Sequence, residues 1–306
     1  MDYFAIIKKA YEITIKNKFL WIFGILAGGY GGVRSFNFNM PNYTFNSSST
    51  RGDGWEKVLG HPLGSSDVQA FWTNFGWLII TLAIVFVVIA IVMFVLNIIS
   101  QGALVASADK LSEGGKTNFK EGLRLGGKQF WRIWAMAIIY LLMILISLSI
   151  WIIPTCILVI TGAYVIAAIW GILLFFVCLL FWLLIGIISP YSLRVIVLEK
   201  YSVWQSIRRS LHFFRDNWVS VVLMYLLLIA LGIAFGIALM LGILIMAAIL
   251  LGIGYGLYLA SIIGALIYGA IVGFAVLIAI AVISGAYNTF SSTVLTLTYL
   301  ELNKKS

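Results

Sequence analysis

A chain of 306 residues in which 62% of the side chains are hydrophobic and 10% are charged, with a mean hydropathy of +1.08, carries more apolar surface than a water-soluble fold can bury. Its solvent over most of its length must be lipid. The net charge of +9 sits in short blocks between apolar runs, so a pI near 9.5 does not indicate nucleic-acid binding, which needs a folded basic domain to present the charge.

Four runs carry no charged side chain: Lys18 to Arg34, Asp67 to Asp109, Arg132 to Arg194 and Asp216 to Glu301. A helix needs about 20 apolar residues to cross the roughly 30 Å hydrocarbon core. The last three runs are long enough, and the first, "FLWIFGILAGGYGG", is short and glycine-rich. Seventeen of the 20 lysines and arginines fall in four blocks: the N-terminus, Asp109 to Arg132, Arg194 to Asp216, and the tail at Lys304 and Lys305. Positive residues beside membrane segments stay in the cytoplasm, so all four blocks share that side if each interval between them crosses twice. The expectation is an all-α, polytopic bundle of six membrane helices in the plasma (inner) membrane. Their approximate ranges are 19–33, 72–99, 131–153, 163–189, 218–249 and 258–299, with both termini cytoplasmic. The first is expected to stay uncleaved, because 18 residues precede its apolar core, long for the n-region of a signal peptide. The last interval also has room for four shorter helices, with "LLGIGYGLYLA" as a turn, a re-entrant dip or a tightly packed helix.

Along the chain, the first helical pattern sets Phe4, Ile7 and Tyr11 against Lys8, Glu12 and Lys16. The polar segment at about 35–70 reads as an irregular extracytoplasmic loop. Its Asn42 and Asn46 glycosylation patterns are ones an asparagine-rich loop matches by chance. Residues 116–132 place Lys120, Arg124, Lys128 and Arg132 in a row at four-residue steps, with Phe119, Leu123 and Phe130 largely apart from it. Trp131 and Trp151, 20 residues apart, are spaced for two interfacial belts, and Pro154 is expected to end that helix. In 203–218, Trp204, Ile207, Leu211, Phe214 and Trp218 share a face opposite Arg208, His212 and Arg215, with Arg209 nearby. All three segments read as basic amphipathic helices lying in the headgroup plane.

Each such segment precedes a proposed membrane hairpin, and the hairpins end alike: "IISQGALVASADK" at 98–110, "IISPYSLRVIVLEK" at 187–200 and "TFSSTVLTLTYLELNKK" at 289–305. The chain is expected to be one membrane domain, 1–306, made of three repeats at about 1–112, 113–200 and 201–306.

Titratable groups for catalysis or metal binding must gather at one depth. His61 and His212 fall on opposite sides of the membrane in this topology, and no proposed helix core holds an acid, lysine or arginine of the kind that marks an ion path. Cys156 and Cys178 lie in apolar runs and behave as small hydrophobes rather than as a disulfide or metal site. No catalytic residue and no cofactor is expected. What remains is uncharged polarity. Ser284, Asn288, Ser292 and Thr296 draw a polar stripe on the last helix, which serves interhelical hydrogen bonding or lines a pathway. Gly232 to Gly236 and Gly269 to Gly273 have GxxxG spacing, extended by Ala248, Gly252, Gly256, Ala260 and Gly264. Close packing within the chain accounts for these. Asn97 reads as a local hydrogen-bond donor.

The segment "VIVLEKYSVWQSIRRSLHFFRDNW" and the closing "TLTYLEL" resemble the recurring segment and last helix of the glycerophosphoryl diester phosphodiesterase membrane-domain superfamily and related uncharacterised prokaryotic membrane proteins. The resemblance covers the second half best and implies a polytopic helical domain. Where such domains are fused to a phosphodiesterase, the catalytic part is a separate soluble barrel. This chain has no room for it and no matching acid and histidine set, so hydrolase activity is not expected. Three functions stay open: a non-catalytic scaffold or accessory module that binds anionic lipid headgroups, a protein partner or a second copy; a transporter, channel or lipid-handling protein built on the polar stripe; and, most remote, an intramembrane enzyme. The candidate binding residues for the first are Lys120, Arg124, Lys128, Arg132, Arg208, Arg209 and Arg215.

Overall fold

A computed structural model describes residues 2–31 and 65–304, with side chains described for 2–28 and 76–304 apart from 257, 259, 260 and 265. The expected outer loop, its two glycosylation patterns and His61 lie outside these residues, except that the chain from Ser65 is already helical. All regular structure among them is helical: α1 (Tyr3–Lys16), α2 (Phe19–Gly31), α3 (Ser65–Ser112), α4 (Phe119–Lys128), α5 (Phe130–Ile160), α6 (Tyr164–Arg194), a π-turn (Val195–Glu199), α7 (Val203–Asp216), α8 (Trp218–Ala260) and α9 (Ile262–Asn303). Five helices are long and apolar enough to cross a membrane, the make-up of a multi-pass membrane protein. Helix α2, with 13 residues, is about 20 Å long. The interval from Asp216 to Glu301 holds two long helices rather than four, and "LLGIGYGLYLA" is the end of α8, followed by a turn at Ser261, whose hydroxyl caps α9 through the Gly264 N–H.

The chain forms two units, 1–35 with 96–306, and 36–95. In the second, α3 exposes nearly every side chain from Trp77 to Phe94. In the first, burial is confined to one end of the bundle. The core is built from Ile6 and Ala10 of α1, Leu20 and Phe23 of α2, Ala103 and Val105 of α3, Ile133 of α5, Tyr191 and Val195 around the π-turn, Val221 and Met224 of α8, and Val294 and Tyr299 of α9. Beyond it, from Leu141 to Leu184 and from Ile229 to Ile283, the large apolar side chains are exposed or half-exposed, with Cys178 an exception. Each helix thus has a packed half and an apolar, unpacked half.

Three local expectations are corrected. Pro154 does not end its helix: α5 runs on to Ile160, as a membrane helix can, since neighbouring groups and local adjustments offset the one bond that a proline cannot make. Trp151 is not a free interfacial residue, because its Nε1 donates to Gly171 O of α6 at 3.0 Å. The α5–α6 turn is made instead by Gly162, at φ +78°, a left-handed conformation that glycine adopts without a Cβ penalty. Third, the glycines of close approach are mostly not those expected. A Cβ on Gly252, Gly256, Gly269 or Gly273 would meet nothing within 4 Å. One on Gly24 would lie 2.0 Å from Gly285 O, and one on Gly126 would lie 2.1 Å from Ile99 O and 2.8 Å from Ala103 N. Only Gly232, facing the Tyr287 hydroxyl at 2.6 Å, keeps its expected role.

Gly126 is therefore the seat of α4 on α3, whereas Gly127 faces open space. We expect Gly126→Ala to cost about 1–3 kcal/mol through overpacking against backbone, and Gly127→Ala to be neutral or slightly stabilising through helix propensity. Thermal unfolding of the two variants in the same detergent checks this.

Candidate functional site

Three short helices, α1, α4 and α7, lie against the packed end of the bundle. Each turns small or aliphatic residues inward. The buried side chains are Ile6, Ala10, Ile13 and Thr14 on α1, Gly122 and Gly126 on α4, and Ser206, Ile207, Ser210 and Phe213 on α7. The expected aromatic stripes mostly stay outside: Phe4 is 77% exposed, Tyr11 58%, Trp204 66% and Trp218 58%. Small residues win the inward face because they let helix backbones approach closely. The outcome on α7 is a helix with three sectors in order around its axis, at 100° per residue. Ser206, Ser210, Phe213 and Ile207 face the protein, Leu211 and Trp204 form an exposed apolar sector, and Arg215, Arg208 and His212 an exposed basic one.

The expected basic residues divide into two groups. Lys120, Arg124, Lys128, Arg208 and Arg215 are exposed and enter none of the ion pairs among the described residues. Arg132 and Arg209 are tied into the fold. Arg132 donates to Lys200 O at 2.7 Å, capping the α6–α7 junction where Lys200 takes φ 58°. Arg209 pairs with Glu199 at 2.6 Å and lies 5.4 Å over the Tyr201 ring.

Glu199 is the centre of that junction. One carboxylate oxygen takes Arg209, and the other accepts from the Tyr299 hydroxyl and from Asn303 Nδ2, both on α9. One turn earlier, Arg194 is 2% exposed and donates to Pro190 O and, at 3.0 Å, to Ser292 O of α9. The sequence placed Arg194 at a cytoplasmic margin, but the structure turns it inward. A buried hydroxyl chain lies nearby: Tyr140, Ser192 and Ser210 link α5, α6 and α7 at 2.7 and 2.6 Å.

The polar stripe of α9 is spent on helix contacts. Asn288 Nδ2 donates to Gly24 O at 3.3 Å, and Thr289, which the four-residue spacing did not select, donates to Leu20 O at 2.9 Å. The Ser292 carbonyl accepts from both Arg194 and Thr296, and Thr296 is fully buried. Ser284 is half-buried. Asn97 is more than a local donor, because its Nδ2 reaches Leu26 O of α2 at 2.7 Å while its Oδ1 accepts from Gln101. No grouping of three or more histidine, cysteine or acidic side chains suited to a metal stands among the described residues.

These pairs make two outcomes testable. In a double-mutant cycle on Glu199→Gln and Arg209→Gln we expect a coupling of about 1 kcal/mol or less, because Arg209 is half-exposed and water screens the pair. Lys110 donates to Glu121 at 2.6 Å, and that bond holds the Glu121 carboxyl below the ordinary glutamate value of 4.5. Its stabilisation is complete above that ordinary value and is lost as pH falls through the lower folded one. The melting-temperature gap between wild type and Glu121→Gln should therefore stay constant from neutral pH down to about 4.5 and close below it.

No curated protein and no solved structure matches the chain. A family model matches residues 19–302, nearly the whole length, so the helices from α2 to α9 are the family's shared body. The chain belongs to a family of unknown function, DUF7544.

Proposed function

We propose that this is a non-catalytic membrane module of the plasma (inner) membrane that binds anionic lipid headgroups with the exposed cations of α4 and α7, and so serves as a scaffold or accessory protein. The observation that carries the reading is the division of the exposed basic residues: five enter no ion pair among the described residues and stand beside exposed aromatic and aliphatic side chains, while Arg132 and Arg209 are engaged by Lys200 O and Glu199. Desolvated aromatics next to cations are the chemistry of an anionic membrane surface. The polar stripe gives this reading some favour over a transport pathway along α9, since the Asn288 amide is bonded to α2 and the buried Thr296 hydroxyl to the Ser292 carbonyl of its own helix.

In this reading the hydrocarbon covers the unpacked halves, about 77–94, 141–160, 164–184, 229–256 and 262–283. Most are near 20 residues and so roughly 30 Å, the thickness required. The packed halves, with the four basic blocks, form a body on the cytoplasmic side together with both termini, and a sixth crossing starts in α2. Three repeats are supported by details that recur. Asp2 and Ser202 precede α1 and α7, and Asn17 and Asn217 close them with the same bond to a carbonyl four residues back, at 2.9 and 3.3 Å. The ends of α3 and the π-turn are each tied to the next short helix by an ion pair of opposite polarity, Lys110–Glu121 and Glu199–Arg209. Kinship with the membrane domain of the glycerophosphoryl diester phosphodiesterase superfamily fits this plan but brings no hydrolase.

Native mass spectrometry of protein released from nanodiscs of mixed phosphatidylglycerol and phosphatidylcholine tests the reading. Wild type should retain the anionic lipid through mild activation. A variant with Lys120, Arg124, Lys128, Arg208 and Arg215 all changed to Gln should lose it at unchanged melting temperature. Equal retention of both lipids by the two proteins would overturn the proposal, and a stoichiometric second protein from native membranes would make a protein the partner.

A further inference from the structure

An open groove of about 610 Å³ lies between the start of α1 and the middle of α8, lined by Asp2, Tyr3, Phe4, Ile7, Leu227 and Leu231. We infer that it is the seat of one phospholipid acyl chain, with the lipid's phosphate held by Lys8 at the rim. This deepens the proposed function, and it rests on the membrane placement given there.

Position is the first argument. Among the described residues, Leu228 is the last large side chain of α8 that is buried, after Val221 and Met224, so Leu227 and Leu231 straddle the level at which α8 passes from its packed half to its unpacked half. That is the depth at which a phospholipid changes from headgroup to chain. Lining is the second. Five of the six residues are apolar or aromatic, and a void of this size, within the roughly 300–1,000 Å³ of small-molecule sites, does not stay empty beside hydrocarbon. The lone acid, Asp2, caps α1, its carboxylate accepting from the Ala5 N–H at 3.1 Å.

Charge is the third argument and selects the headgroup. Lys8 follows Phe4 by one turn on the same flank of α1, and both Lys8 and Lys9 are exposed. Neither enters an ion pair among the described residues, whereas Lys16 pairs with Glu12 at 3.7 Å. A point cation one turn from an apolar slot matches an anionic phospholipid, with the chain in the slot and the phosphate on the ammonium.

The test uses full-length protein in phosphatidylcholine nanodiscs doped with a phosphatidylglycerol that carries a diazirine in one acyl chain. After illumination, the labelled peptides are mapped by mass spectrometry. We expect peptides holding Tyr3–Ile7 and Leu227–Leu231 to be labelled severalfold above the exposed stretch Leu266–Phe274. Ile7→Trp, which fills the groove, should remove that excess and leave the other labelling unchanged, and Leu227→Trp should do the same should Ile7→Trp fold poorly. Lys8→Gln should lower groove labelling by the anionic probe but not by its phosphatidylcholine counterpart. Even labelling over all exposed apolar segments, or groove labelling indifferent to both tryptophan variants, overturns the inference. The arm is separable from the headgroup test on α4 and α7, because none of those five cations lines the groove.

Discussion

The carboxylate of Glu199 is the contact through which the packed end of the bundle is organised. It lies at the end of the π-turn, where the chain leaves α6, and it joins that turn to α7 through Arg209 and to α9 through Tyr299 and Asn303. A π-turn admits one extra residue into the helical path and re-aims the chain beyond it. Here it buries Val195, Ile196 and Val197 while bringing the acid to the rim. Arg194, at the other end of the turn, faces inward onto the carbonyls of Pro190 and Ser292. Two opposite charges five residues apart thus serve two different neighbours of one helix end. Lys200, in a left-handed conformation and capped by Arg132, completes the reversal into α7.

This arrangement divides the molecule by what holds it together. In the packed half, aliphatic and aromatic side chains are withdrawn from any solvent, and polar side chains such as Asn97, Arg194 and Thr289 reach carbonyls of other helices. In the unpacked half no such burial exists, so cohesion depends on local contacts such as Trp151 to Gly171 O, Trp182 to Ser147 and Tyr268 to Leu250 O. Lipid supplies little drive for helices to associate. The hairpins are therefore held chiefly from one end.

The all-helical, multi-pass class of the chain was legible because charge blocks and apolar runs are one-dimensional signals. The two-helix reading of the last interval came from them, as did the short helices. What was not legible depends on distance across helices. The stripe rule turned Phe4, Tyr11, Trp204 and Trp218 toward the membrane and gave no sign that Ala10, Gly126 and Ser210 pack inward against the protein, since small side chains carry weak hydropathy signals but permit close approach. Arg194 and Glu199 read as ordinary members of a basic block, because nothing in a linear pattern shows that a π-turn separates their directions. Likewise, only Gly285, isolated from any GxxxG spacing, meets Gly24 backbone to backbone, while the regular pair Gly269 and Gly273 meets nothing.

The two complete hairpins of the packed unit are themselves one-sided. Helices α5 and α6 are joined across three residues and α8 and α9 across one, Ser261. So little chain emerges at these two tips that a protease, an antibody or a soluble binding protein approaching from their side would find almost no backbone to grip. At the opposite end the same visitor meets α1, α4, α7 and every junction between them. Whatever the cell uses to address this protein through these hairpins must read it from that one face.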